Sequence, residues 1–138
     1  MRYDAPAVPS FDLTSTYVCL SPDGAASSFE VTPDFWGTVD ERADLNEGRL
    51  VAVFESATDW PQWEMHPEGE EILVLLSGRM TLIFDAGGKD AGDEAQPIEL
   101  TPGRACIIPR GAWHRARVPV PSRLLAITHG RGTQHRAR

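Results

Sequence analysis

The sequence predicts an all-β barrel or sandwich, and three observations carry that prediction. Apolar runs of about four to eight residues, bounded by turn residues, recur at regular spacing between residues 49 and 129. Twelve glycines and eleven prolines suit many short strands better than a few long helices. The chain is 41% hydrophobic and 24% charged, the balance of a soluble globular protein, and 138 residues is the common size of one domain with one core.

Strands are expected near 49–56 (RLVAVFES), 62–66, 70–77 (EEILVLLS), 79–85 (RMTLIFD), 97–101, 104–108, 113–118 and 123–129. The stretch from Glu70 to Leu76 is rich in Leu and Glu and also reads as helix, but Ser77-Gly78 closes it after seven residues. Met80, Leu82 and Phe84 then alternate as a strand does. Between 86 and 96 the glycine-rich, polar Gly87–Asp93 segment predicts a loop. Pro6, Pro9, Pro22 and Pro33 interrupt the first 45 residues, which predicts an irregular N-terminal arm with edge strands around Thr16–Leu20 and Phe29–Thr32 and a helical turn over Asp40–Leu45. The expected organisation is thus an arm over 1–45, a barrel over 46–130 and a tail over 131–138.

Charge is unevenly spread. The first 99 residues hold all 20 acidic side chains and five of the 13 basic ones, whereas the remainder holds eight arginines and no acid. In a compact domain these parts lie side by side and compensate, so internal pairing is the expectation. An acidic chain without an aromatic-interleaved basic stripe argues against a nucleic-acid partner. No run approaches the roughly 18 apolar residues of a membrane span, and the first residues, MRYDAPAVPSFDL, lack a continuous apolar segment of a secretory signal. Cys19 and Cys106 form neither a disulfide framework nor a CxxC motif, which with the foregoing predicts a reducing, cytoplasmic setting.

Four histidines stand at 66, 114, 129 and 135. Glu64 and His66 are two apart, so on a strand they share one face. Pro67-Glu68-Gly69 turns the chain back, and Glu71 begins the next strand. A second segment, Gly103-x5-Pro109-x-Gly111-x2-His114, puts a tight Pro/Gly turn immediately before another His-bearing strand.

These two segments resemble the signature motifs of the cupin superfamily, G-x5-H-x-H-x3/4-E-x6-G and G-x5-P-x-G-x2-H-x3-N. The latter half of the first motif stands here as Glu64-x-His66-x4-Glu71-x6-Gly78, with Glu64 where the family has its first histidine. The glycine that leads into that motif is replaced by Thr58. The second motif is matched at Gly103, Pro109, Gly111 and His114, with Val118 at the Asn position. The resemblance covers residues 64–118 by motif and about 49–129 by strand spacing. It implies a double-stranded β-helix, the jelly-roll barrel, often dimeric, with its site inside.

Carried over by position, the resemblance implies metal ligands at Glu64, His66, Glu71 and His114. Two imidazoles with one or two carboxylates suit a divalent transition metal such as Fe, Mn, Ni or Zn. A Glu in place of His adds charge and a harder donor, and it also makes Glu64 a candidate catalytic general base. The alternative is a metal-free polar pocket in which these groups hydrogen-bond one another. Glu68 and Glu70 read as solvated surface acids, and Cys106 as a small apolar residue. His129 and His135, in a Gly/Arg-rich tail, read as exposed or locally bonded, or as part of a tail covering the barrel mouth. Trp63 and Trp113 directly precede Glu64 and His114, so strand alternation turns them away from the site. Trp36, in the arm, is a candidate lid.

Fold does not fix function. Three readings stand: a metal-dependent enzyme acting on a small oxygenated metabolite, in the manner of a dioxygenase or isomerase; a non-catalytic module that binds or senses a small molecule; and a structural homodimer with a degenerate site. The single lysine, Lys89, lies in a loop, which disfavours Schiff-base chemistry.

Overall fold

A computed structural model describes residues 8–85 and 97–138. The expected glycine-rich loop therefore lies outside the described residues. The remainder is a single antiparallel β architecture. Its strands are β1 (Thr16–Leu20), β2 (Ala26–Glu30), β3 (Arg49–Ser56), β4 (Gln62–Met65), β5 (Glu71–Phe84), β6 (Ile98–Leu100), β7 (Ala105–Ile108), β8 (His114–Thr128) and β9 (Gln134–Ala137). Two short helices, α1 (Phe35–Thr38) and α2 (Ala43–Glu47), flank a 3-10 turn at Val39–Glu41, so the single helical turn expected in the arm is in fact three short pieces. Among the described residues no helix is long and apolar enough to cross a membrane.

Strand β8 organises the sheet. Its C-terminal half pairs with β3 on one side and with the first half of β5 on the other, and its N-terminal residues pair with β4 and the end of β5. The remaining order runs β2-β1-β3-β8-β4-β9, with β6 and β7 on β5. Even-numbered residues of β8 are buried from His114 to Val118 and again from Ser122 to Ala126, with Val120 between them exposed. On β5 the buried set changes parity from Glu71, Leu73 and Leu75 to Met80 and Leu82. The parity change explains a departure from expectation. Ser77-Gly78 does not end a strand; it is an irregularity inside one, with register shifts against β8 between Leu75 and Thr81. Gly78 has φ +86°, and a Cβ there would stand 2.1 Å from Ser122 Oγ, so only glycine fits.

The two segments expected at 113–118 and 123–129 are likewise one strand. Pro119 and Pro121 do not break it because its partners change there. The Asp59 carboxylate accepts the Val118 N–H at 2.7 Å, and Trp60 N–H donates to Ala116 O, so the 57–61 loop replaces a neighbouring strand. In the arm, β1 lies where expected, but β2 starts at Ala26 and not at Phe29. The tight Ser21–Ala25 turn, with Gly24 at φ 93°, sets the β1–β2 register.

Two apolar clusters meet at the barrel. One fills its interior with Leu73, Leu75, Met80, Leu82 and Leu124 among others, and the second packs Tyr17, Phe35 and Leu45 under the arm. Phe54 touches both. The tail expected over 131–138 contains β9, which pairs in register with β4.

Candidate functional site

The site forms where β4, β5 and β8 converge. Glu64 is opposite His114 in the β4–β8 register, and His66 follows on the same face of β4. Glu71 opens β5 with its side chain pointing inward, in phase with Leu73 and Leu75. All four residues read from the sequence thus meet. His66 Nε2 lies 3.3 Å from Glu64 Oε1 and 3.4 Å from Glu71 Oε2, and His114 Nε2 lies 3.3 Å from Glu71 Oε1. Donor atoms of Glu64, His66 and His114 all fall within 4.8 Å of one another, the spacing that holds one ion.

Burial grades these groups. The His114 side chain is fully buried, those of His66 and Glu71 are 4% and 7% exposed, and Glu64 is 28% exposed. Glu64 is therefore the most open member, although His66 and Glu71 also line the cavity that opens over the cluster. Burial works against charge on Glu71, but the imidazoles of His114 and His66 beside it outweigh that cost and hold its carboxyl down at about 2. Burial likewise disfavours the imidazolium of His66, yet Glu71 and Glu64 together raise its pKa above the ordinary histidine value.

Supporting hydrogen bonds fix how each group presents itself. His114 Nδ1 is 3.0 Å from Ala112 O, and a carbonyl only accepts, so the neutral ring carries its proton on Nδ1 and turns the Nε2 lone pair to the site. His66 Nδ1 meets Thr133 Oγ1 at 2.8 Å, and that hydroxyl donates to Gly130 O at 2.7 Å. Thr128 Oγ1 donates to Glu71 Oε2. What remains is a set of acceptors facing one another. His66 Nε2, His114 Nε2 and Glu71 Oε1 are buried and have no hydrogen-bond partner. Such a set is costly unless a cation or a proton lies among it, so these residues fit a divalent metal by their donor chemistry.

A cavity of about 740 Å³ opens over the cluster. Trp36, Phe54 and Trp60 give it aromatic walls, and Asn46, Arg131 and His135 give it polar ones. Trp60 also stands edge-on to His114, with ring centroids 6.2 Å apart. Trp36, the lid candidate, does line the cavity while remaining 54% exposed. Trp63 and Trp113 point away, as alternation requires; the Arg136 guanidinium lies over both rings, 5.6 and 4.6 Å from their centroids. Glu68 and Glu70 are exposed. Cys106 is half-buried against the core. His129 Nε2–H donates to Asn46 O at 3.1 Å, since a carbonyl only accepts.

Three supporting residues were not read from the sequence. Thr128 carried a signal, since it shares the inward parity of Leu124 and Ala126 on β8. Thr133 and Arg136 carried none, because their tail has no apolar period to mark it as a strand.

Residues 40–128 match the family model of the cupin domain. Nothing among curated proteins matches the chain. Among solved structures, the chain is similar to a hydroquinone 1,2-dioxygenase in complex with Cd2+ and 4-hydroxybenzonitrile, at 19% identity and TM-score 0.50 over 58% of this chain and 56% of that one. It is similar to hydroxypropylphosphonic acid epoxidase from S. wedmorenis at 18% identity and TM-score 0.50, over 63% of this chain and 46% of the epoxidase. The chain thus spans about half the length of these two proteins, and the likeness is one of fold. The cupin-domain match extends over well more than half of the chain, takes in the whole convergent cluster, and agrees with an all-β architecture built on the same strands: this protein belongs to the cupin family.

Proposed function

We propose that the chain is a metal-dependent cupin that binds a small oxygenated molecule in its barrel. His66, His114 and Glu71 would hold a divalent transition metal, one of Fe, Mn, Ni or Zn, with Glu64 either completing the set or left free beside it as a base. The observation that carries this reading is the facing group of buried acceptors, His66 Nε2, His114 Nε2 and Glu71 Oε1, none with a hydrogen-bond partner. When bound, the ion supplies Lewis acidity that polarises an oxygen of the ligand.

The chain's own residues do the rest. Trp36, Phe54 and Trp60 would take the apolar body of the ligand and exclude water beside the cluster. Glu64, the most exposed of the four, is the carboxylate best placed to accept a proton from a bound molecule, which makes it the candidate general base. Glu71 is held too firmly ionised, and is too tightly enclosed, for that role.

Metal analysis of purified, dialysed protein tests the reading. The wild type should carry about one equivalent of a first-row metal, and the His66→Ala, His114→Ala double variant should carry none. Full occupancy in the double variant would remove the site, and a wild type that binds no metal under any loading condition would leave a non-catalytic binding module.

We also infer that the protein works in the cytoplasm as a homodimer. Support for the dimer comes from the outer sheet face, where Ile107, Ile72, Ile127, Val51 and Val18 stand side by side across β7, β5, β8, β3 and β1. Ile107 is 63% exposed. A continuous aliphatic row of this kind is expected to be covered. Light scattering at micromolar concentration should give a dimer mass, and Ile107→Asp should give a monomer; a monomeric wild type contradicts the inference.

A further inference from the structure

The C-terminal strand touches the site at one point and the barrel wall at another. Thr133 ends the Gly130–Thr133 turn and places its hydroxyl 2.8 Å from His66 Nδ1, across 67 residues of sequence. The turn is held against the same hairpin: Gly132 has φ +73°, and a Cβ there would lie 3.2 Å from Pro67 Cγ, next to His66. Strand β9 then pairs Gln134–Ala137 with Met65–Gln62 and puts His135 beside Glu64. The next residue, Arg136, reaches outward. Its guanidinium lies over Trp63 and Trp113 and its Nη2 forms an ion pair with Asp85, whose side chain is only 3% exposed. Asp85 follows β5, and its N–H donates to Trp113 O, one residue before His114.

We propose that β9 is a clamp that completes the metal site, with Thr133 as a positioning residue for His66 and Arg136 as the anchor that keeps Thr133 in place. The inference rests on the metal reading above and extends it to residues outside the cluster. For Nε2 of a neutral imidazole to face a cation, the ring proton must sit on Nδ1 and find an acceptor. The Thr133 hydroxyl is that acceptor, since its single proton is directed to Gly130 O at 2.7 Å. Only four residues of strand hold it, at the end of the sheet order, so backbone pairing alone is a weak hold. The Arg136 pair supplies the remainder, a planar cation against two indoles and one enclosed carboxylate.

The test is Zn2+ binding to metal-free protein against a chromophoric chelator, with thermal melting and imidazole 15N spectra of the same samples. Thr133→Val removes the acceptor at nearly constant volume. It should weaken Zn2+ binding about 10- to 100-fold, leave the melting temperature close to wild type, and move the ring-nitrogen signals of His66 but not those of His114. Thr133→Ser should bind as the wild type does. Arg136→Ala should displace the same His66 signals and weaken Zn2+ in the same direction; if it does not fold, Thr133→Val decides. Wild-type Zn2+ affinity in Thr133→Val with unmoved His66 signals overturns the proposal. If the wild type binds no Zn2+, the metal reading fails separately, and the His66 signals of metal-free protein still decide whether β9 positions the ring.

Discussion

The two histidines of the cluster occupy different kinds of ground. His114 begins the central strand, is fully buried, and takes its orientation from a carbonyl two residues away. His66 follows the short strand β4, and its orientation depends on a hydroxyl 67 residues distant in sequence. One is fixed by local geometry, the Gly111 turn with φ 77° feeding directly into β8. The other is fixed by long-range assembly. A side-chain cluster contiguous in space is thus assembled from parts with very different folding dependence.

The largest expected effect separates the two directly. His114→Ala opens a void among Trp60, Phe84 and His66 and removes a cation-capable neighbour from the enclosed Glu71. A loss of about 3 kcal/mol is expected for the metal-free protein, from cavity formation and an uncompensated carboxylate. His66→Ala, beside the more open Glu64, should cost about half of that. Urea unfolding of both variants at one pH measures the difference, and equal losses would erase the distinction between local and long-range support.

Acid and base should act on the two sides in opposite directions. Glu71 has a folded pKa of about 2 against an ordinary 4.5, so its contribution to stability is present above pH 4.5 and disappears as pH falls toward 2. The contribution is on the order of 3 kcal/mol at most, from about 1.4 kcal/mol for each tenfold change. His66 is shifted upward, so its contribution is complete below its unfolded value near 6.5 and disappears as pH rises through the higher folded value. Metal-free protein should therefore be most stable, as far as these groups decide it, between about pH 4.5 and 6.5. Metal binding needs the neutral ring and should begin to weaken already above pH 6.5 as pH is lowered, where an unshifted histidine would not yet compete. Denaturation and metal titrations across pH 3 to 9 check both limbs, and a stability maximum above pH 8 would contradict the assignment of His66.

Most of the barrel was legible in the sequence because it depends on local rules, and the four cluster residues were legible because their spacing resembles the cupin motifs. Apolar runs bounded by turn residues marked β3, β5 and β8, alternation marked Met80 to Phe84, and Pro109, Gly111 and His114 marked the turn into the site. The failures share a cause. Ser77-Gly78 and Pro119-x-Pro121 look like chain breaks, yet Ser122 and Asp59 supply hydrogen bonds that carry both strands through. Ser122 Oγ accepts from Arg79 N–H at 3.0 Å, a partner 43 residues away. The tail became a strand because β4 offered it an open edge, which its own composition does not encode. Local chemistry marked the cluster residues, and tertiary pairing supplied what holds them.

Thr128 tests that division at its finest point, because it is a tertiary support that a local rule could have found. Its hydroxyl donates to Glu71 Oε2, the same oxygen that faces His66 at 3.4 Å. Removing the donor with Thr128→Val preserves the branched shape on β8 and leaves an ionised acceptor short of one partner. The expected loss is about 1.5–3 kcal/mol at pH 6, at the scale of a hydrogen bond to a charged group. The same change takes away one interaction that favours the carboxylate, so the folded pKa of Glu71 should rise from about 2 toward 4.5. Stability of the variant should then fall away at a higher pH than that of the wild type during acid titration. Thr128→Ser should restore both quantities, since the hydroxyl returns and only a methyl group is lost. If Thr128→Val and wild type unfold along the same acid curve, the carboxylate is held by the two imidazoles alone, and the support of Glu71 belongs with the locally written half of the site.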